Sequence, residues 1–316
     1  MAGEKMGPFR LAPWFSPRPW GRRDLRPWYA ASELGTTEPV GEAWLTGPAS
    51  VVETGAMRGQ TLAQVVAENG DEAVGTGSGE GGAEFPLLVK LLFPADKLSV
   101  QVHPDDAQAQ AMGQLRGKTE CWYVLEAEPG ATVALGLREG ATANAVRAAI
   151  ANGTMEEWME WVPVEVGDMV FVDAGTVHAI GPGVVLLETQ QTSDITFRMY
   201  DYGRPRELHV EQALGVMKTR TEAGKVRPRA MDGFTRLMER KYFVVDRYDI
   251  AGVGEEVVPV EGAGCLVGLS GDAMIESEGA ETVELLAGRA VVVPAGAGEL
   301  VVQSGAGVSF VRCWAP

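Results

Sequence analysis

Two polar side chains lie two positions apart in the stretch LSVQVHPDD, residues 98–106, where Gln101 and His103 alternate with valines. The Val-rich alternation indicates a β-strand, so both side chains project from one face. An amide oxygen and an imidazole nitrogen about 7 Å apart at the Cα level can share one metal ion. Glu120 opens a later apolar run, and His178 follows a glycine turn. The four residues form a candidate ligand set for Zn²⁺ that leaves room for water or a substrate oxygen.

The spacing by itself leaves a second interpretation open. A histidine at a strand end before proline is also typical of a surface residue, or of one whose ring is satisfied by a neighbour. The chain has only 3 histidines, and two of them, His103 and His178, fall beside turn residues at predicted strand ends. The third, His209 in RELHVEQAL, has helical spacing and is interpreted as a helix-surface or interhelix residue. The spacing therefore does not choose between a metal site and ordinary histidines.

The elements that must position these residues are mostly strands. Forty glycines and many short Val-rich runs ended by Gly, Pro or Asp indicate a mainly β protein, and their spacing suits a barrel or sandwich. Strands are predicted over residues 86–93, 97–103, 120–126, 131–136, 168–173, 184–190, 194–200, 241–249, 264–269, 272–276, 289–294, 299–303 and 307–313. Helices are predicted over residues 60–69, 105–115, 141–151, 154–161 and 206–218.

The chain is predicted to divide into two units. Near residues 220–240 the sequence becomes basic and mixed, without strand alternation. A boundary there makes residues 1–235 the unit that holds the candidate ligands and the helices, and residues 236–316 a smaller all-β unit without histidine. The segment DEAVGTGSGEGGAE, residues 71–84, is Gly-rich, acidic and poor in core-forming side chains, so it is interpreted as a flexible loop.

A short frame occurs once in each unit. GDMVFVDAGTVH, residues 167–178, and GRAVVVPAGAGE, residues 288–299, share an apolar run, a turn with glycine, and a polar residue at the last position. That position is His178 in the first copy and Glu299 in the second, and it is expected to point inward at the start of the next strand. The repeat is consistent with two related β-units.

Composition argues against several classes of function. The chain has 43 acids against 27 Lys and Arg, and the resulting net charge of −16 disfavours non-specific nucleic-acid binding. No stretch approaches the roughly 18 to 20 consecutive apolar residues of a membrane span, and the N-terminus lacks an apolar signal core, so we predict no membrane partner and a cytoplasmic location. Cys121, Cys265 and Cys313 are scattered, which argues against a disulfide framework and a cysteine-built zinc site.

Three blocks of sequence, in order, resemble a known enzyme family. LLVKLLFPADKLSVQVHPDD, GKTECWYVLEA and GDMVFVDAGTVHAIGPGVVLLETQQTSDITFRMYDYGR are similar to the type I mannose-6-phosphate isomerases of the cupin superfamily, in their short bacterial form. Weaker similarity lies upstream in PRPWGRRDL and GEAWLTG. The resemblance covers about residues 12–215. It implies cupin (jelly-roll) barrels in a bicupin-like arrangement with helices packed on the N-terminal half, and a degenerate cupin-like C-terminal unit without metal ligands.

The resemblance also implies roles for individual residues. One Zn²⁺ per chain is expected on Gln101, His103, Glu120 and His178, with Gln101 the weakest donor. Arg198 falls where the family has its essential active-site arginine, and Lys118 falls at the lysine two positions before the ligand glutamate.

The implied activity is the interconversion of mannose 6-phosphate and fructose 6-phosphate through a cis-enediol. Zinc would polarise the carbonyl, and Arg198 would stabilise the enediolate or clamp the substrate. The phosphate of this small-molecule partner needs positive charge, and the candidates are Lys118, Arg198, Arg204 and Lys97. Glu188, Asp194 and Lys118 are expected near the substrate as candidates for the proton-transferring base, Lys118 only if its pKa is lowered.

Three other functions stay open at this point. Another metal-dependent cupin enzyme, such as an iron dioxygenase or oxidase, would commonly present three histidines and one glutamate, which Gln101 argues against. A non-catalytic sugar-phosphate-binding cupin would not need to keep Lys118 and Arg198 beside four intact ligand positions. An active centre in the C-terminal half would have to use Glu299, since no histidine lies beyond His209.

Overall fold

The computed structural model describes residues 6–75 and 84–316, and in that part the chain is mainly β, as predicted. The strands, in chain order, are β1 (Phe9–Leu11), β2 (Trp14–Arg22), β3 (Val40–Trp44), β4 (Leu87–Leu92), β5 (Val100–Val102), β6 (Glu120–Ala127), β7 (Thr132–Leu137), β8 (Met159–Pro163), β9 (Met169–Val172), β10 (His178–Ile180), β11 (Val184–Gln191), β12 (Phe197–Tyr200), β13 (Gly224–Val226), β14 (Arg229–Ala230), β15 (Thr235–Glu239), β16 (Val244–Ile250), β17 (Gly254–Val258), β18 (Gly264–Ser277), β19 (Val283–Leu286), β20 (Ala290–Val293), β21 (Leu300–Ser304) and β22 (Val308–Trp314). The α-helices are α1 (Leu62–Asn69), α2 (Asp71–Val74), α3 (Asp106–Ala111), α4 (Ala143–Asn152) and α5 (Val210–Val216), and short 3₁₀ turns cover Ala31–Glu33 and Met155–Trp158.

The strands form three antiparallel sheets. A seven-stranded sheet has the order β13-β9-β6-β11-β4-β3-β2, and a five-stranded sheet has the order β12-β5-β10-β7-β8. The third sheet follows β1-β20-β18-β22-β16-β15-β14, with β17, β19 and β21 attached to it. Strand β18 is long enough to pair with β20 and β22 along its first half and with β19 and β21 along its second half. It therefore bends from one layer of the C-terminal half into the other.

The seven-stranded sheet is covered on both faces. Along β6, Trp122 and Val124 pack in the cluster shared with the five-stranded sheet, whereas Cys121 and Tyr123 pack in the cluster shared with the C-terminal sheet. Burying a side chain such as Val124 is worth about 2 kcal/mol relative to leaving it exposed. Two buried faces explain why the strands of this sheet are nearly continuous apolar runs. A charged side chain within one of these strands is buried, and it therefore needs a partner.

Four of the five predicted helices are present. Helices α1, α3 and α5 lie within their predicted ranges, and α4 extends one residue beyond its own. Helices α1, α3 and α4 each begin after an N-cap whose side chain accepts a backbone N–H, and these caps are Thr61, Asp105 and Thr142. The helix predicted over residues 154–161 is wrong beyond its first turn, because Met159–Pro163 pairs as an edge strand with β7. Aromatic and β-branched side chains there favour the open strand edge over the helix. No helix in residues 6–75 and 84–316 is long and apolar enough to cross a membrane.

The segment predicted as a loop begins with a helical turn. Residues 71–74 of the segment 71–84 form the helical turn α2, and residues 76–83 lie outside the described residues. The chain leaves the seven-stranded sheet after β13 and enters the C-terminal sheet at β14, while β1 pairs with β20 in that same C-terminal sheet. The division into units 1–235 and 236–316 stays a prediction.

Candidate metal centre and its cleft

Gln101 lies in the middle of a row of side chains that crosses the five-stranded sheet. On β5 it pairs in register with His178 of β10 on one side and with Arg198 of β12 on the other. Directly opposed residues on neighbouring strands place their Cβ atoms about 5 Å apart on one face. Strand pairing therefore sets these three side chains next to one another on the face that looks toward the seven-stranded sheet.

Glu120 meets the two histidines from the opposite sheet. It is the first residue of β6, and its carboxylate oxygens lie 3.5 Å from Nε2 of His103 and 3.3 Å from Nε2 of His178. The ligand atoms of these three residues all lie within 4.8 Å of one another, and all three residues are buried. The structure thus brings His103, Glu120 and His178 together.

Backbone carbonyls fix the orientation of both imidazoles. Nδ1 of His103 lies 2.8 Å from the Ile195 carbonyl, and Nδ1 of His178 lies 2.9 Å from the Thr176 carbonyl. A carbonyl only accepts, so each Nδ1 carries the proton and each Nε2 turns its lone pair toward Glu120. Burial, with a further contribution from the Lys118 charge, holds the pKa of His103 well below its usual range. Burial likewise lowers the pKa of His178 to about 4, so both rings are neutral donors at neutral pH.

The residues present fit a metal ion. Glu120 is fully buried, and neither of its oxygens accepts a hydrogen bond of good geometry from the described part of the chain. The Lys118 ammonium lies 3.0 Å from Oε2 and compensates part of the charge, whereas Oε1 faces only the lone pair of His178 Nε2 at 3.3 Å, a position that a cation would satisfy. Two neutral imidazoles and one carboxylate are the ligand types of a catalytic Zn²⁺ site, in which a further position stays open.

Gln101 stands at the edge of this cluster. Its amide nitrogen lies 3.2 Å from Nε2 of His178, and its amide oxygen lies 3.3 Å from the Ser99 hydroxyl. Ligation through the oxygen would need a half-turn of the carboxamide, and such a turn leaves the shape of the side chain almost unchanged. Gln101 as a metal ligand stays a prediction.

Lys118 is part of the cluster as a cation. Its ammonium lies 3.0 Å from Glu120 Oε2 and 3.2 Å from Nε2 of His103. Burial alone would lower the pKa of Lys118, but the carboxylates of Glu120, Glu188 and Asp194 together raise it above its usual value. The hypothesis of a base with a lowered pKa at this position is opposed by these surroundings.

A cleft of about 450 Å³ opens above the cluster and reaches it through Gln101 and Lys118. Its floor is a second row across the seven-stranded sheet, in which Lys90 pairs in register with Trp44 and Glu188, and Glu188 with Trp122. Lys90 Nζ lies 3.5 Å from the Glu188 carboxylate. The Trp122 indole N–H donates to Glu188 at 3.2 Å. Burial and the nearby Glu120 charge raise the pKa of Glu188.

Three arginines line the same cleft, and they differ in their partners. Arg18 donates twice to Glu42, and Arg206 donates twice to Asp201. The Arg198 guanidinium donates only to the Glu207 carbonyl among the described residues, and its Nε is buried without a partner there. Burial, then the charges of Arg206 and other neighbours, lower the pKa of Arg198. Its guanidinium is thus the one of the three without a carboxylate partner in the described chain.

Of the remaining predicted residues, Asp194 lines the cleft, whereas Lys97, Arg204 and His209 do not. Asp194 lines the cleft with a side chain that is 56% exposed, 3.5 Å from Lys90. The structure does not bring Lys97 or Arg204 to the cleft: Lys97 pairs with Glu156, and Arg204 pairs with Asp96 and Asp201. His209 accepts the backbone N–H of Arg198 through Nδ1, behind the sheet row.

The sequence analysis missed four charged residues of the lining: Arg18, Glu42, Lys90 and Arg206. Lys90 had a usable signal, since LLVKLLF places a lone charge inside an apolar strand, and such a charge needs a partner. Arg18 and Arg206 have no local signal, because strand ends and turns commonly bear solvated arginines. The expectation that Glu299 points inward is wrong, because Glu299 is exposed.

Facing antiparallel sheets, with two imidazoles and a carboxylate converging between them, define a cupin-fold protein with a candidate metal site. The family model "Phosphomannose isomerase type I, catalytic domain" matches residues 9–143. The mannose-6-phosphate isomerase of Streptococcus mutans is 38% identical over 251 residues, which span 74% of this chain and 76% of that protein. The chain belongs to the type I phosphomannose isomerases, an enzyme family.

Solved structures agree with this assignment. The crystal structure of mannose 6-phosphate isomerase from Bacillus subtilis matches with a TM-score of 0.83 and 30% identity, covering 98% of this chain and 99% of that one. A zinc-bound mannose 6-phosphate isomerase structure matches with a TM-score of 0.77, covering 98% of this chain and 100% of that chain. At 17% identity the second match shows the shared fold.

Proposed function

We propose that the protein is a zinc-dependent mannose-6-phosphate isomerase, which interconverts mannose 6-phosphate and fructose 6-phosphate. The observation that carries the proposal is the buried cluster of His103, Glu120 and His178, beneath a cleft that presents cationic side chains in a chain of net charge −16. The names of the Streptococcus mutans and Bacillus subtilis relatives support the substrate. The zinc-bound structure with the same fold supports the metal.

His103, Glu120 and His178 would hold one zinc ion per chain, with the amide oxygen of Gln101 as the fourth protein donor. When bound, the ion supplies a Lewis acid that stabilises the negative charge developing on the substrate oxygens. The carbonyls of Ile195 and Thr176 keep both imidazoles in the tautomer this requires. Enclosure between two sheets excludes water and strengthens each electrostatic interaction in the site.

Lys118 and Arg198 bring positive charge to the reacting end of the cleft. The isomerisation moves a proton from C2 to C1 of the open-chain sugar, and the proposed intermediate is a cis-enediol. Arg198 stands one strand from Gln101 and keeps a buried Nε without a partner in the described chain, so it can donate to the oxyanion that develops. The Lys118 ammonium adds a second positive charge beside Glu120.

Arg18 and Arg206 would attract the phosphate. Both line the cleft, and each is held by a carboxylate: Arg18 by Glu42, which also lines the cleft, and Arg206 by Asp201. A bidentate partner fixes a guanidinium in place while its remaining N–H donors stay available. A local cationic wall of this kind steers an anionic substrate toward a chain that is acidic overall.

Glu188 and Asp194 are the carboxylates proposed for proton transfer. Both line the cleft, and Lys90 lies 3.5 Å from each. Glu188 is buried and bound by Trp122, whereas Asp194 is largely exposed.

The partner we propose is a small sugar phosphate and not a nucleic acid. A cytoplasmic location belongs to the proposal, supported by three free, buried cysteines.

A coupled assay that follows fructose 6-phosphate formation from mannose 6-phosphate tests the proposal. We expect turnover by the zinc-loaded protein, loss of turnover after chelation, and recovery on adding zinc. A zinc-loaded, folded protein that shows no isomerisation would refute the assignment. Stoichiometric iron with oxygen consumption would point instead to an oxygen-dependent cupin enzyme.

A further inference from the structure

Asp106 joins three parts of the chain outside the cleft. Its Oδ1 accepts the backbone N–H of Gly117 at 3.0 Å and the side-chain N–H of Gln191 at 2.9 Å. Its Oδ2 accepts the hydroxyl of Tyr242 at 2.5 Å. Burial opposes ionisation, but the donors Tyr242, Gln191 and Gly117 lower the pKa of Asp106, so the carboxylate accepts as an anion. None of these bonds reaches the cluster of His103, Glu120 and His178 directly.

The segment held by Asp106 contains Lys118 and leads directly into Glu120. Within it, the Lys118 N–H donates to the Pro104 carbonyl at 3.0 Å, and the Thr119 N–H donates to the Gln191 side chain at 3.0 Å. The approach is close enough that a Cβ on Gly117 would lie 2.5 Å from the Pro104 oxygen. The backbone of residues 117–119 is thus fixed against residues 104–106, which follow His103.

We propose that Asp106 is a positioning residue of the metal centre: it sets the distance between His103 and Glu120, and Tyr242 of the C-terminal half holds it in place. The inference rests on the proposed metal binding by His103, Glu120 and His178. A shift at Gly117 would move Glu120, because only two residues separate them along an extended chain. Residues that orient metal ligands from behind typically change metal affinity or activity about 10- to 100-fold when removed.

Two contacts connect the C-terminal half to the site. Tyr242 lies two residues before β16, and its hydroxyl reaches across to the start of α3. Arg247 on β16 donates to the Tyr123 hydroxyl of β6 at 2.6 Å. Both contacts join the C-terminal half to strands or helices that begin next to the candidate ligands.

Co²⁺ titration of the metal-free full-length protein tests this, because both the affinity and the visible spectrum of Co²⁺ report ligand geometry. We expect Asp106→Ala to weaken Co²⁺ binding by about 10- to 100-fold and to alter the spectrum. Asp106→Asn keeps an acceptor for Gly117 and Gln191, so it should remain within about two-fold of wild type. Tyr242→Phe should weaken binding roughly two- to ten-fold, the value of one lost hydrogen bond.

Asp168→Ala is the matched control, since Asp168 is a partly buried carboxylate that also accepts a backbone N–H, that of Glu165 at 2.7 Å, and lies beside Val124, four residues along β6 from Glu120, and it should leave Co²⁺ binding unchanged. Wild-type Co²⁺ affinity and spectrum in Asp106→Ala would overturn the inference. An equal loss of Co²⁺ affinity in Asp106→Asn would also overturn it, because that result would show that the charge of Asp106 matters and not its hydrogen bonds. If Asp106→Ala does not fold, Tyr242→Phe decides by the same criterion. Wild-type protein that binds no Co²⁺ would refute the metal centre itself.

Discussion

The two halves of the molecule share a strand–turn–strand frame and use it differently. In the N-terminal half the turn after β9 leads to His178, which is 1% exposed and faces Glu120. In the C-terminal half the turn after β20 leads to Glu299, which is exposed to solvent. The same backbone frame therefore delivers an inward imidazole in one copy and an outward carboxylate in the other.

The interiors differ accordingly. Between the sheets of the N-terminal half, Lys90, Glu120 and Glu188 are buried together with the two histidines. In the C-terminal half the corresponding space is filled by an apolar cluster in which Tyr248 stacks between Phe310 and Phe234, with ring centroids 5.0 and 5.2 Å away. The sheet architecture provides a dry interior in both halves, and the chemistry depends on which side chains point into it.

The largest contrast is expected at the shared frame position. His178→Ala removes an imidazole from the ligand cluster, so zinc should be lost and kcat/KM should fall by at least about 10³-fold. Glu299→Ala, the same position in the other copy, should leave both unchanged. Zinc per chain and coupled-assay kinetics check the pair. Retained zinc and activity in His178→Ala would contradict the ligand assignment.

A second contrast separates two buried or half-buried arginines. Arg198→Met removes a guanidinium that has no carboxylate partner in the described chain, and we expect kcat/KM to fall about 10²-fold with little change in stability. Arg312→Met removes one of the two guanidinium groups that bind the buried Asp246, at 2.7 Å, and leaves Arg236 at 2.8 Å, so we expect a loss of about 2 kcal/mol in the free energy of unfolding.

Urea denaturation and steady-state kinetics on the same two proteins separate these effects. Arg312→Met should keep the kcat/KM of wild type. An Arg198→Met protein that loses stability instead of activity would place Arg198 among the structural residues.

Local sequence patterns indicate the cluster as a candidate, and the resemblance to the isomerase family is what favours a metal site over ordinary histidines. Alternation put Gln101 and His103 on one face, and turn chemistry put His178 at the start of a strand. The cleft wall could not be predicted in the same way. Whether Arg204 or Arg206 faces the cleft depends on how Asp201 holds both of them, which is a tertiary contact. Lys97 was expected to bind phosphate, but Glu156 holds it away from the lining.

The same limit applies to the fold. Long apolar strands such as β4, β6 and β11 were predicted because burial on both faces leaves a continuous pattern. Strand β1 has only three residues, and its partner β20 lies near the other end of the chain, so no local signal marks it. The sequence predicts a helix over residues 154–161, where the structure has the start of β8, because the three-residue spacing of Trp158 and Trp161 also fits a helical face.

The smallest expected effect concerns a hydroxyl inside the C-terminal cluster. The Tyr248 hydroxyl is buried without a partner among the described residues, and burial raises the pKa of Tyr248 to about 12. Tyr248→Phe should be neutral or stabilising by up to about 1 kcal/mol, with unchanged kcat/KM. Tyr29→Phe is the matched variant: the Tyr29 hydroxyl donates to the Gly288 carbonyl at 2.6 Å, so its loss should cost about 1 kcal/mol. A urea midpoint for Tyr248→Phe at or below that of Tyr29→Phe would contradict this explanation.

We expect one zinc ion to bind between the two sheets of the N-terminal half and none in the C-terminal half. Anomalous diffraction from crystals of the zinc-loaded protein, recorded on both sides of the zinc absorption edge, locates the metal. We expect one strong peak per chain, within bonding distance of His103 Nε2, His178 Nε2 and a Glu120 oxygen. The absence of a peak there, or a full-occupancy peak at another site, would contradict this expectation.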